Sequence, residues 1–227
     1  MGDSLEAALV SFGSGLIFVS LISAFKKDVR TGFTDIFKAV KDKSLSSWRL
    51  GAGVLGASFV AMQTHVVPIA GVALFTVASL AGQAAISLWV DHTGLMGNGK
   101  NLVTIRRVLA AVITVLAVII SAWDRFSMSD FSILAILLAI FAGGLVGVQR
   151  ALNGQINYYS KRSFATSQLN FITGTSFLLL LLIIRSVFTD HSIMNFTTGP
   201  WWMFIGGSIG VISVSYTHLT LPTKRIV

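Results

Sequence analysis

The chain has 227 residues, of which 54% are hydrophobic and only 11% charged, and it carries a formal net charge of +8 and no cysteine. Soluble domains have about 25% charged residues, so the composition excludes an ordinary soluble domain, and the lack of cysteine excludes disulfides and cysteine-based metal or nucleophile chemistry. The positive charge does not indicate nucleic acid binding, because it lies between long apolar runs, where cytoplasmic loops of membrane proteins carry lysine and arginine.

Seven apolar runs follow one another along the chain, each close to the roughly 20 residues of helix that cross a bilayer. They cover residues 5–25, 48–66, 67–90, 103–123, 131–155, 164–187 and 201–216. The first run carries a single charge, Glu6, at its start. Because no soluble domain of this size would repeat such runs so often, the sequence predicts an all-α polytopic membrane protein with about seven transmembrane helices.

Lysine and arginine are concentrated in alternate gaps between these runs. The base-rich gaps are residues 26–49, 91–107 and 150–163, and the base-poor gaps lie around residues 66–68, 124–130 and 185–200. Since cytoplasmic loops carry the excess of basic residues, the first span is expected to run from outside to inside.

The first base-rich gap also carries apolar residues at helical spacing. Phe33, Ile36, Phe37 and Val40 recur at the i, i+3, i+4 and i+7 positions of one helix face, with charged residues elsewhere on the wheel. This spacing predicts a short amphipathic helix on the inner leaflet. A solvated basic loop is an equally strong alternative.

Two segments of the chain are repeated. Residues 4–15 resemble residues 163–174, with Ser, Phe and Gly at matching positions, and residues 48–56 resemble residues 202–210, with shared Trp and Gly positions. The copies lie five spans apart, and because five is odd the second copy crosses the membrane in the opposite direction. Inverted-topology repeats are common in secondary transporters. Chance similarity between apolar helices is the alternative explanation.

Several motifs are specific in combination. They are residues 82–95, which begin with Gly82-Gln83 and end with Gly94-Leu95, the following Arg106 and Arg107, the Ser11-Phe12 and Gly15 pattern, Trp48 ahead of a glycine-rich helix, Pro68 and Gly71 at an expected helix start, and residues 147–154. With them the chain resembles, over about residues 1–213, the YdcZ-like branch of the drug/metabolite transporter (DMT/EamA-like) superfamily in its tandem-repeat form.

The resemblance implies two five-helix repeats with inverted topology. Residues 1–123 would be a first repeat that lacks its opening helix, and residues 124–213 a second repeat that stops inside its third helix. Residues 214–227 look like translated sequencing-adaptor DNA and are expected to be non-native. The chain is therefore expected to be a seven-helix fragment of a ten-helix protein.

The function implied by the resemblance is secondary transport. We expect a multi-pass protein of the bacterial inner membrane that moves a small organic molecule by alternating access. Its expected partners are the lipid bilayer, a small-molecule substrate and, as a candidate assembly, a second copy in a homodimer, but no nucleic acid. No cofactor, metal or enzymatic activity is expected, because the sequence offers no nucleophile–base pair, no metal-ligand spacing and no phosphate-binding loop.

Uncharged polar residues within the spans are the candidate substrate ligands, because polar groups are costly in a bilayer and tend to be functional. The candidates are Gln83, Gln63, Asn170, Asn153 and Gln149. They are predicted to line a central cleft, and Gln149 and Asn153 share a helix face because they lie four residues apart. The alternative is hydrogen bonding between helices, worth only about 0.6 kcal/mol on average.

Three charged residues are candidates for gating or coupling. Asp91 ends the third span and is predicted to pair with Arg107 or its neighbour as an inner gate, with a purely structural ion pair as the alternative. Glu6 is a candidate proton carrier, with a solvated interfacial role as the alternative.

Two rival functions remain at the sequence level. One is a non-transporting membrane scaffold or an inactive fragment, which would be favoured if the polar residues faced lipid or dry helix contacts. The other is a channel, which would need a ring of charges or a continuous polar stripe that no helix offers.

Overall fold

The computed structural model describes residues 4–95, 104–123, 133–188 and 204–211, and in these ranges it contains helices but no strand. The helices are α1 (Ser4–Phe25), α2 (Lys27–Lys41), α3 (Ala52–Ala70), α4 (Val72–Thr93), α5 (Ile105–Trp123), α6 (Ile133–Ser160) and α7 (Ser163–Phe188). A 3₁₀ helix, Ser47–Gly51, leads into α3, and residues 206–211 are also helical. The predicted all-α fold is confirmed.

Five described helices are long and apolar enough to span a membrane: α1, the 3₁₀ helix continued by α3, α4, α6 and α7. The fourth predicted span falls on α5, where the apolar stretch is the shorter Val108–Ile120. Half of the seventh predicted span, residues 201–216, lies outside the described residues.

The boundary between α3 and α4 corrects one sequence expectation. Pro68 was expected to open a helix, but it lies inside the last turn of α3, and α4 begins only at Val72. The break occurs at Gly71, whose φ of 82° is a conformation that glycine adopts without the steric cost of a side chain. Gly71 still donates its N–H to the Val67 carbonyl at 2.8 Å and accepts from Phe75, so both helices close on this residue.

Helix α2 confirms the amphipathic helix and rules out the loop alternative, but with a rotated buried face. The buried residues are Val29, Gly32, Ile36 and Ala39, whereas Phe37 is 60% exposed. This stripe lies roughly 70° around the helix axis from the predicted face, at 3.6 residues per turn. A hydrophobicity pattern gives large phenylalanine side chains more weight than a glycine. It also cannot show that Gly32 permits close packing.

The chain divides into two compact units. The first unit comprises Met1–Leu5 and Val54–Gln155. Its core is a continuous apolar cluster built from α3, α4, α5 and α6, in which Phe75 is 2% exposed and Ala78 and Ala142 are fully buried. The Phe59 and Phe75 rings meet at 5.8 Å and link α3 to α4.

The second unit comprises Glu6–Gly53 and Ile156–Val227. Helix α2 packs on the start of α7, where Gly32 leaves no room for a side chain against Ala165 and Arg162. The tight turn from α6 to α7 places Lys161 at a φ of 53°. The fully buried Ser160 hydroxyl stabilises this turn, because it accepts the Arg162 N–H at 3.2 Å and lies 3.1 Å from the Thr166 hydroxyl.

Candidate functional site

In the first unit, α4 and α6 cross with their backbones in direct contact. A methyl group on Gly82 would overlap the carbonyl oxygen of Ile140, and one on Gly143 would overlap the carbonyl oxygen of Ser79. Small residues of this kind let two helices approach closely in lipid, where packing replaces the hydrophobic effect as the driving force. Ser79, Gly82, Ile140 and Gly143 are called the α4–α6 contact below.

Gln83 lies beside this contact, midway along α4. Its side chain is partly buried, and its Oε1 atom is inaccessible to solvent yet accepts no hydrogen bond from any described residue. A buried acceptor without a partner costs about 1–3 kcal/mol. Among the residues predicted to bind substrate, Gln83 therefore has the clearest unused hydrogen-bonding capacity.

Gln149 lies on the side of α6 that faces α3, not on the side that faces α4. A methyl group on Gly56 of α3 would overlap the Gln149 side-chain amide, whereas one on Gly147 would lie 3.5 Å from the Gln83 carbonyl oxygen. Positions 147 and 149 point to nearly opposite sides of a helix. The backbone of Gln83 and the side chain of Gln149 thus border different helix contacts, α4–α6 and α3–α6.

The other two candidates of the first unit are also partly buried. Asn153 lies one turn after Gln149 on the same face of α6 and has a partner within the chain. Gln63 lies on α3, about two turns after Gly56.

In the second unit, α1 and α7 cross through a reciprocal pair of contacts. A methyl group on Gly15 would overlap the Phe171 ring, and one on Gly174 would overlap the Phe12 ring. The two rings themselves lie 5.5 Å apart. A step of three residues forward on α1 corresponds to three residues backward on α7, so the two helices run antiparallel. These four residues are called the α1–α7 contact below.

A second set of contacts in this unit also joins residues at matching positions of the two repeated segments. Gly53 has no room for a side chain against the Asn170 backbone and the Thr173 hydroxyl. Gly207 has none against the Ser11 carbonyl oxygen and the Ser14 hydroxyl. When residues 4–15 are aligned with 163–174 and residues 48–56 with 202–210, Gly53 corresponds to Gly207, Ser11 to Asn170 and Ser14 to Thr173. A residue and its counterpart thus make equivalent contacts.

Asn170, the candidate of the second unit, is partly buried on α7 and has a partner within the chain. Its neighbours on α7 are rich in hydroxyls and amides. Gln168 donates from Nε2 to the Ser20 hydroxyl on α1 at 3.4 Å, and the buried Thr175 hydroxyl has no hydrogen-bond partner among the described residues.

The three gating or coupling candidates lie at helix ends. Asp91 is 5% exposed in the last turn of α4 and has a partner within the chain. Arg107 belongs to α5, but its side chain is outside the described part of the structure, so the predicted pair with Asp91 stays a prediction. Glu6 is partly buried in the first turn of α1.

Gln155 is a polar residue that the sequence interpretation passed over. It is 4% exposed, its Nε2 donates to the Leu95 carbonyl oxygen after the end of α4, and its Oε1 has no partner among the described residues. The available signal was an uncharged amide within a predicted span, but the i, i+4 spacing drew attention to Gln149 and Asn153 instead. Across the described ranges, no group of three or more His, Cys, Asp or Glu side chains is placed to hold a metal ion.

Comparison with known protein families identifies the family of this chain. A family model described as "Putative inner membrane exporter, YdcZ" matches residues 1–120 and 134–224, nearly the whole chain. The chain belongs to the YdcZ family. No curated protein and no solved structure matches it.

The family confirms several expectations. The chain is a multi-pass inner membrane protein, a transporter of the DMT kind that contacts the lipid bilayer and acts on a small molecule. The second matched segment ends at residue 224 and so includes most of residues 214–227, whose non-native origin stays a prediction.

Proposed function

We propose that this YdcZ-family chain carries a small organic molecule across the inner membrane by alternating access, and that Gln83 lies in the substrate path. The observation that carries the proposal is the buried Oε1 atom of Gln83, which has no hydrogen-bond partner among the described residues. A protein that leaves such an acceptor unpaired loses stability unless the group is used by something the folded chain does not supply. A substrate hydroxyl, amide or ammonium group would supply the missing donor.

The location of Gln83 supports this role. It follows Gly82 directly, and Gly82 is part of the α4–α6 contact, where backbone meets backbone. A close helix crossing fixes the position of the neighbouring side chain, which favours recognition of one ligand geometry. We also propose Gln63 on α3, Gln149 and Asn153 on α6, and Asn170 on α7 as substrate ligands.

Alternating access is supported by the reciprocal contacts of α1 and α7. Gly15 and Gly174 make equivalent contacts with Phe171 and Phe12, and the helices are antiparallel, as expected for repeats of inverted topology. In transporters built from such repeats, one repeat rocks against the other. We therefore infer that residues 1–123 and 124–213 are inverted repeats.

Charged residues at the helix ends complete the proposal. We assign Asp91 and Arg107 to an inner gate, because they lie near helix ends, and Glu6 to ion coupling, because it is partly buried in the first turn of α1. A homodimer remains the proposed assembly.

The test is a ligand-stabilisation screen on the purified chain in lipid nanodiscs. The probes are polyols, amides, nucleosides, amino acids, organic acids and amines, and the readout is the thermal unfolding midpoint. At least one probe should raise the midpoint, and Gln83→Ala should abolish that rise. Ser87→Ala is the matched control, because Ser87 lies one turn further along α4, is exposed, and donates its hydroxyl to the Ala84 carbonyl of its own helix.

The screen also separates the rival functions. A probe that stabilises Gln83→Ala as well as the parent chain would place the site elsewhere. A non-transporting scaffold predicts that no probe changes the midpoint of either protein.

A further inference from the structure

The surface of α2 is divided into four arcs that follow one another around the helix. Next to the buried stripe of Val29, Gly32, Ile36 and Ala39 lie Phe33 and Phe37, whose rings stack at 6.5 Å. A basic arc comes next, with Arg30, Lys41 and Lys38, all exposed. Asp35 and Asp28 form the fourth arc, the acidic arc, between the basic arc and the buried stripe of a helix with 3.6 residues per turn.

Asp28 of the acidic arc forms an ion pair with the protein. The Asp28 carboxylate lies 3.6 Å from the Arg162 guanidinium at the start of α7. This ion pair and the close packing at Gly32 both hold α2 against the start of α7. On the other side of the helix Phe37 is 60% exposed, Phe33 is partly buried, and Arg30, Lys38 and Lys41 are exposed.

The connections of α2 place it at the membrane surface. Helix α1, a candidate span, ends at Phe25, and α2 begins at Lys27. At its other end only residues 42–46 separate α2 from the next candidate span, which begins at Ser47. Five extended residues reach at most roughly 18 Å. Both ends of α2 are therefore tethered close to the level where α1 and α3 leave the lipid.

The residues at these two junctions have the same character. Phe25 is 90% exposed, and Trp48 is 58% exposed with the Arg49 guanidinium 5.6 Å from its ring. Aromatic rings with a neighbouring cation are typical of the boundary between acyl chains and headgroups.

We propose that the aromatic and basic arcs of α2 form a binding surface for anionic phospholipid headgroups. Phe33 and Phe37 insert at the acyl-chain boundary, and Arg30 and Lys41, which lie next to Phe37 on the wheel, bind lipid phosphate. The chemistry that selects this partner is a cation row directly beside an aromatic pair, which an interfacial amphipathic helix presents to an anionic leaflet. A neutral lipid satisfies the aromatic pair but offers the basic arc no net charge.

Lipid titration tests the charge half of the proposal. The purified chain in detergent is titrated with phosphatidylglycerol or with phosphatidylcholine, and the rise in the unfolding midpoint is followed. Phosphatidylglycerol should stabilise the chain, and Arg30→Gln/Lys41→Gln should raise the lipid concentration at half-effect by about thirtyfold at low salt. Arg150→Gln/Lys161→Gln removes the same charge from exposed positions outside α2 and should shift it little.

Depth measurement tests the aromatic half and needs no change in stability. Because the chain has no native cysteine, a nitroxide at Phe37→Cys or Lys38→Cys is the only label. In phosphatidylglycerol nanodiscs the label at position 37 should be several-fold more accessible to oxygen than to a water-soluble nickel chelate, and the label at position 38 should show the reverse.

Three results would overturn the proposal. They are equal stabilisation by the two lipids, an equal shift from the control double variant, and a label at position 37 that is as accessible to water as the label at position 38. The third result would assign the aromatic pair to a soluble protein partner instead.

Discussion

The α4–α6 contact and the α1–α7 contact are both built on glycine, yet the glycines face different neighbours. Gly82 and Gly143 face backbone carbonyl oxygens, which belong to helices and cannot move alone. Gly15 faces a phenylalanine ring, which can turn about its χ angles. The same residue type therefore serves a fixed crossing at the α4–α6 contact and an adjustable one at the α1–α7 contact.

This difference bears on transport. A carrier that works by alternating access needs one element that holds the substrate groups in place and another that changes its packing. The α4–α6 contact has the properties of the first element and lies beside Gln83. The α1–α7 contact has those of the second, since the two rings, 5.5 Å apart, belong to side chains that can turn about their χ angles.

The largest expected effect is at Gly143. Gly143→Ala should destabilise the chain by about 3 kcal/mol, the upper end for overpacking, because its new methyl group meets the Ser79 carbonyl. Gly144→Ala is the matched control, since a methyl group there has no neighbour within 4 Å. Unfolding with sodium dodecyl sulfate in mixed micelles, followed by helicity, measures both. Equal stabilities of the two variants would contradict the fixed crossing.

A smaller effect is expected at Gly15. Gly15→Ala should cost about 1–2 kcal/mol, because the Phe171 ring can yield in part, and Phe171→Leu in the same chain should recover much of this loss. A double-mutant cycle in the same unfolding assay gives the coupling, expected at about 1 kcal/mol. Gly13→Ala is the control, because its methyl group would enter open space. Absence of coupling between positions 15 and 171 would contradict the interpretation of the α1–α7 contact as adjustable.

The sequence predicted the helices far better than their contacts. Spans such as Ser4–Phe25 were placed within one residue, because long apolar runs dictate membrane helices. The end of α3 was misplaced, because Pro68 suggested a helix start while Gly71, through its positive φ, made the actual break. Which side of a helix is buried also escaped prediction, as at Gly32 on α2, since close packing depends on a partner that the pattern of one helix cannot reveal.

The candidate site shows the same limit. Amide side chains within spans, such as Gln83, could be found from the sequence. The sequence could not show which of them have hydrogen-bond partners. Gln155 was missed although it is the more deeply buried of the two, at 4% exposure. Hydrogen bonding across 60 residues, as from Gln155 to the Leu95 carbonyl, is a property of the folded chain.

A third prediction uses these two glutamines to separate binding from packing. Gln155→Leu should cost about 1–2 kcal/mol, because it leaves the Leu95 carbonyl without its donor. Gln83→Leu should leave stability unchanged or raise it by up to about 1 kcal/mol, since it removes an acceptor that has no described partner. Thermal unfolding in the absence of added ligand compares them. A large loss for Gln83→Leu would mean that Gln83 has a structural partner, and its assignment to the substrate path would fail.

The smallest effect is expected where the second unit holds α2 by charge rather than by close packing. The side chains of Asp28 and Arg162 are 73% and 47% exposed, so water and salt screen their attraction at 3.6 Å. Asp28→Asn should therefore cost less than about 0.5 kcal/mol, and this small loss should vanish in high salt. Gly32→Ala, at the packed side of the same helix, should cost more and be insensitive to salt, because its methyl group meets Ala165 and the Arg162 stem. If Asp28→Asn proved the more damaging of the two, charge and not close packing would position α2, and the aromatic arc would lose its fixed direction toward the lipid.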